Sequence, residues 1–106
     1  MSAVEIATPD AMNVLSSRIR EAAEIMKSMA SETRLKILCG LSEGELSVNQ
    51  LADLTGQSLS AVSQHLAKLR ASGLVEWRRD AQTIYYRCAQ GIGRALVETL
   101  CSYYKP

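Results

Sequence analysis

Long hydrophobic runs are missing from this 106-residue chain. No stretch approaches the roughly 18 consecutive apolar residues that span a bilayer. Met1 to Pro9 has neither a basic start nor the apolar core of a secretory signal. The expectation is a soluble, cytoplasmic protein. Cysteine is scarce and unpaired in pattern: Cys39, Cys88 and Cys101 are odd in number, far apart and free of any C-x-x-C spacing. That excludes a secreted disulfide framework and a zinc ribbon.

Histidine occurs once, as His65, and the acids are scattered. Such a chain offers neither a nucleophile with a base in reach nor paired carboxylates, and Gly91-x-Gly93 lacks the third glycine and the strand context of a dinucleotide fingerprint. An enzyme is not expected, and no cofactor or metal site is. Internal repeats and low-complexity linkers are absent, so the chain reads as one domain over 1–106, with 1–9 as a disordered tail.

What is present is an ordinary globular composition, 47% hydrophobic and 22% charged. The net charge of +1 hides an asymmetry. Between Ser58 and Cys88 stand five basic residues (Lys68, Arg70, Arg78, Arg79, Arg87) against two acidic ones, while the remainder is net acidic. Positive charge gathered in one region is how a phosphate-facing surface sits within a near-neutral protein.

Thr8-Pro9-Asp10 reads as a helix start, after which Met12, Leu15, Ile19, Ala22, Met26 and Met29 recur at steps of three and four. This seam serves either the domain's own core or a dimer contact of the a/d type. Ser31 caps a second helix from Glu32 to about Glu43. Ser47-Val-Asn-Gln50 has the capping-box pattern and opens a third helix that stops at Gly56. Ser58 caps a fourth, ending before Gly73. Leu74 to Arg79 and Thr83 to Cys88 alternate as two strands of a hairpin, and Gln90 to Tyr104 reads as a last amphipathic helix. The fold class expected is mainly α with a β-hairpin wing, in the order α-α-α-α-β-β-α: a winged helix-turn-helix.

On a helical wheel of the fourth helix, Leu59, Val62, Leu66 and Leu69 cluster on one side. Ser60, Gln64, Ala67 and Lys68 lie opposite, with Ala61 and Ser63 flanking them. A merely solvated helix is usually laced with Glu/Lys pairs, whereas this face is small, polar and free of acid. It suits a major groove, where Gln64 can pair with adenine and Ser58, Ser60 and Ser63 can take a base or phosphate near the helix N-terminus. Lys68 and Arg70 lie further along, towards phosphate, and Arg78, Arg79 and Arg87 place guanidinium groups on the wing. His65 falls beside the buried side, as a packed histidine in preference to a metal ligand. A winged helix used only for protein contacts is the competing class; it would carry acids or large apolar residues on this face.

The runs Ala30-Ser-Glu-Thr-Arg-Leu-Lys-Ile-Leu-Cys39, Gly44-Glu-Leu-Ser-Val-Asn-Gln-Leu51, Ser60-Ala-Val-Ser-Gln-His-Leu-Ala-Lys-Leu-Arg70 and Arg78-Arg-Asp-Ala-Gln-Thr-Ile-Tyr-Tyr86 resemble the ArsR/SmtB family of winged-helix repressors, over roughly residues 20 to 104. The resemblance implies a homodimer joined through the first and last helices, here Leu15, Ile19, Ala22 and Met26 with Leu96, Leu100, Tyr103 and Tyr104. It also implies binding to double-stranded DNA at an imperfect palindrome, with release by an effector.

The family's third-helix thiolate site has Ser47 and Asn49 in place of cysteine, and its last-helix zinc site finds neither His nor Asp between Gln90 and Pro106. Cys39 matches one cysteine of the persulfide- and redox-responsive branch. Its partner in that branch aligns near Lys105, which puts Cys101 about one turn early on the same helix. The resemblance therefore makes Cys39 and Cys101 redox-sensing candidates, while small buried hydrophobes remain the alternative for both, and Cys88 reads as packing. The wing is equally similar to that of the nodulation repressors.

Overall fold

The computed structural model describes residues 9–105. Five helices and three strands follow in the order α1 (Pro9–Met29), α2 (Glu32–Leu41), β1 (Leu46–Ser47), α3 (Val48–Thr55), α4 (Leu59–Ala71), β2 (Val75–Asp80), β3 (Thr83–Cys88) and α5 (Ile92–Tyr103). The expected winged helix-turn-helix is present, with β1 as an addition. Of the segment expected to be a tail, Pro9 opens α1 and the rest lies outside the described residues.

Caps set the boundaries. The Ser31 hydroxyl accepts from the Arg34 amide at 3.3 Å, and Ser47 and Gln50 complete a reciprocal capping box at 3.1 and 2.8 Å. Gly56 closes α3 at φ 69°, a left-handed conformation that glycine adopts without a Cβ penalty. Helix α2 stops at Leu41, short of the expected Glu43, because Ser42 turns its amide and hydroxyl back on Leu38 and Cys39 carbonyls.

The three strands form one antiparallel sheet in the order β1-β3-β2. Val75 pairs with Cys88 and Asp80 with Thr83, so Ala81 and Gln82 alone make the wing's tip. Ile37, Leu38, Leu51, Val62, Leu66, Leu69 and Val97 are fully buried, a core drawn from α2 to α5. Each such aliphatic side chain contributes about 1.5–3 kcal/mol of transfer free energy.

Leu59 is a correction: the wheel puts it with this core, yet it is 51% exposed and not among the side chains packed on it. It is the first residue of α4 after the Ser58 cap, at the end of the helix.

Helix α1 divides the expected seam. Its end, Met29, is buried and Ile25 packs on the core, whereas Met12, Ile19 and Met26 are exposed. The molecule extends 52 Å with a radius of gyration of 16.3 Å, against about 13 Å for a compact domain of this length. Much of α1 is therefore an apolar-striped helix with little of its own domain beneath it.

Candidate nucleic-acid interface

The α3–α4 turn is held by local bonds: Thr55 Oγ1 donates to the Leu51 carbonyl at 2.8 Å and accepts from the Gln57 amide at 3.3 Å. Ser58 then starts α4 by accepting from the Ala61 amide at 3.1 Å. Ser60, Ser63, Gln64, Ala67 and Lys68 are exposed along α4 and Ala61 is half-buried. The helix contains no acid. Among the described residues, Ser60, Ser63 and Gln64 make no side-chain hydrogen bond and Lys68 no ion pair, so their donors and acceptors are available to a ligand.

The wing arginines differ from one another. Arg78 grips Glu45 with Nε and Nη2 at 2.8 and 2.7 Å and lies 4.7 Å over the Tyr85 ring. That guanidinium lowers the Glu45 pKa, and the carboxylate raises that of Arg78. Arg87 bonds its cross-strand neighbour Glu76 at 2.7 and 3.0 Å. Arg79 has no acidic partner among the described residues and stands exposed before the tip. Arg70 lies 5.0 Å over Trp77, tying the end of α4 to the wing. Glu45 was not anticipated as a wing anchor.

His65 is half-buried, as expected of a packed histidine, and its partner is Arg34 of α2, whose Nη1 lies 3.4 Å from Nδ1. A guanidinium only donates, so Nδ1 accepts and the imidazole proton sits on Nε2. Burial first, then the charges of Arg34 and Lys68, lower the His65 pKa and keep the ring neutral at pH 7.

Cys39 on α2 and Cys101 on α5 are both half-buried free thiols packed against the core, near enough for Cys101 to perturb Cys39. Desolvation, then Cys101, push the Cys39 thiol up to about 11. Cys88 is buried, with its sulfur 3.6 Å from the Leu38 carbonyl, and burial raises its pKa as well. No group of three or more His, Cys, Asp or Glu among the described residues could hold a metal ion. No described helix is long and apolar enough to cross a membrane.

A capped helix-turn-helix with an acid-free exposed face, followed by a hairpin bearing guanidinium groups, defines a winged-helix DNA-binding protein. Residues 31–76 match the family described as "Bacterial regulatory protein, arsR family". The chain is 45% identical over 84 residues to the transcriptional activator HlyU of Vibrio cholerae, covering 79% of this chain and 78% of that one. The chain belongs to the arsR family of bacterial transcriptional regulators, which act by binding DNA and are not enzymes.

Among solved structures, reduced HlyU from Vibrio cholerae superposes with a TM-score of 0.83 at 41% identity, over 87% of this chain and 97% of that one. The transcriptional repressor BigR from Xylella fastidiosa gives 0.78 at 34%, over 90% and 97%. A DNA-binding domain from Mycobacterium bovis, described as homodimeric, gives 0.74 at 32%, over 92% and 87%.

Proposed function

We propose that this regulator is a cytoplasmic homodimeric repressor that occupies a palindromic promoter site and leaves it when Cys39 and Cys101 are linked. The observation that carries the DNA reading is the exposed face of α4, where Ser60, Ser63 and Gln64 are free of protein partners and of neighbouring acid. In this reading Gln64 pairs with a base, and Lys68 and Arg79 meet phosphate.

Dimerisation is supported by the exposed apolar side chains of α1 and α5, Ile19 and Met26 with Leu100, Tyr103 and Tyr104. Leu15, Ala22 and Leu96 are half-buried along the same helices. A second copy would cover both faces, and the Mycobacterium bovis relative is described as homodimeric. Two-fold symmetry would then set two α4 helices about one turn of DNA apart.

The nearness of Cys101 to Cys39, which helps raise the Cys39 pKa, supports the release step. A persulfide donor R–S–SH transfers its outer sulfur to one thiol, leaving R–SH. The second thiol then attacks the inner sulfur of the protein persulfide, forming the Cys39–Cys101 disulfide and expelling hydrogen sulfide. The link fastens α2 to α5, and so couples the core under α4 to the dimer face.

The test is a DNA titration on the upstream region of the chain's own gene, with reduced protein and again after persulfide treatment. The expected result is salt-dependent binding that weakens about five- to 150-fold on treatment, and does not weaken in C39S. Binding indifferent to treatment would leave a regulator without a thiol switch, and no binding in either state would favour the protein-contact alternative.

A further inference from the structure

The described chain leaves several large apolar side chains exposed, and most are accounted for. Met12, Ile19 and Met26 on α1 and those on α5 lie on the faces assigned above to a second protomer, and Val14 points to another side of α1. Trp77 is covered on one side by Arg70, and Leu54 rests over Gly40, where it occupies the space a Cβ would need. Leu59 remains. It is 51% exposed, lies outside the core, and is the first residue of α4 after the Ser58 cap.

Single exposed leucines are commonplace on protein surfaces. This one stands at the N-terminal end of the helix whose exposed face reads DNA, one turn before Ser63 on the same flank, where every other exposed side chain is small or polar. A base pair's major-groove edge carries one apolar group, the C5-methyl of thymine. An isobutyl group held at the mouth of the groove matches that methyl and none of the other groove-edge groups.

We propose that Leu59 is a specificity residue that packs on the C5-methyl of a thymine in each half-site. The inference rests on the DNA-reading role of α4. At about 1.5 Å of rise per residue, Leu59 lies roughly 7 Å along the helix from Gln64.

The test pairs a protein deletion with a DNA deletion. An operator is selected from random duplexes with the full chain, and each thymine is replaced singly by deoxyuridine, which lacks only the methyl. Wild type, L59A, L59Q and L59M are titrated against every duplex, with thermal melts to confirm that each variant is folded. The expected result is one thymine per half-site whose replacement weakens wild type and L59M about three- to tenfold, while L59A and L59Q bind both duplexes equally.

An operator without such a thymine, or a methyl effect that persists in L59A and L59Q, would overturn the proposal while leaving DNA reading by α4 in place. Failure of wild type to select any sequence would remove the reading role of α4, and the thymine contact with it.

Discussion

Arg78 and Glu45, separated by 33 positions in the chain, form a two-pronged ion pair that fastens the wing to the loop after α2. Both groups are solvent-accessible, so the pair contributes little to stability. Its effect is on charge presented to DNA: the guanidinium is neutralised by a neighbour and held over Tyr85. E45Q removes the counter-charge. Its affinity for random duplex DNA should rise, with the slope of log K against log salt steeper by up to about 0.9, the value of one added phosphate contact. R79A should lose a slope of the same size. Filter binding across a salt series reads both, and an unchanged slope in E45Q would place Arg78 away from the DNA.

The Cys39 thiol, raised to about 11 by burial and by Cys101, is almost wholly protonated at neutral pH. Since the thiolate is the nucleophile, alkylation of Cys39 by iodoacetamide should be slow at pH 7 and climb about tenfold per pH unit up to that pKa. In C101A, which removes the second-largest cause, the profile should move to lower pH while staying above that of an exposed thiol. The raised folded-state pKa also means that stability is full below the ordinary thiol value of 9.0 and declines as pH rises towards about 11. Mass spectrometry of timed alkylations checks the rates. A Cys39 that reacts as fast as free cysteine would contradict the desolvation of its thiol.

The helices were legible because their information is local. Ser31, Ser47 and Ser58 cap as their spacing implies, and Gly56 and Gly73 take positive φ at 69° and 72°. Strand β1 was not, since two residues, Leu46 and Ser47, are too few to show alternation and exist as a strand only by pairing with Tyr86 and Tyr85. Leu59 shows the limit of a helical wheel, which gives the direction of a side chain and not whether anything covers it. The same limit applies to the site. Gln64 and its neighbours follow from composition along one helix, whereas Glu45–Arg78 and Arg34–His65 join distant segments and need the fold to bring them together.

His65 accepts from Arg34 and has its pKa lowered by burial and by two nearby cations. Its titration therefore lies below the ordinary 6.5, and R34A should bring it back upwards by removing one of the charges. A lowered folded-state pKa for a base gives stability that is present above 6.5 and is lost as pH falls through the folded value. H65N should consequently lose less stability than wild type between pH 6.5 and 5. With a single histidine in the chain, one imidazole resonance in a proton NMR titration reports the value without assignment. A midpoint at or above 6.5 in wild type would contradict the burial and the Arg34 contact.

Gly93 and Gly40 both lie inside helices and both face a leucine where a Cβ would stand, yet the two substitutions should differ. At Gly93 the obstacle is Leu74, buried in the core, which has no room to withdraw; at Gly40 it is Leu54, 49% exposed and free to swing outward. Alanine gains about 1 kcal/mol of helix propensity over glycine at either position. Overpacking costs about 1–3 kcal/mol where the neighbour is fixed and little where it can move. G93A should therefore destabilise by up to about 2 kcal/mol in urea unfolding, and G40A should be neutral or slightly stabilising. Adding L74V to G93A shortens the obstructing side chain and should recover part of the loss. A G93A protein as stable as wild type would mean that α5 can slide away from Leu74, and that the packing which holds α5 against the core is looser than a buried Gly93 implies.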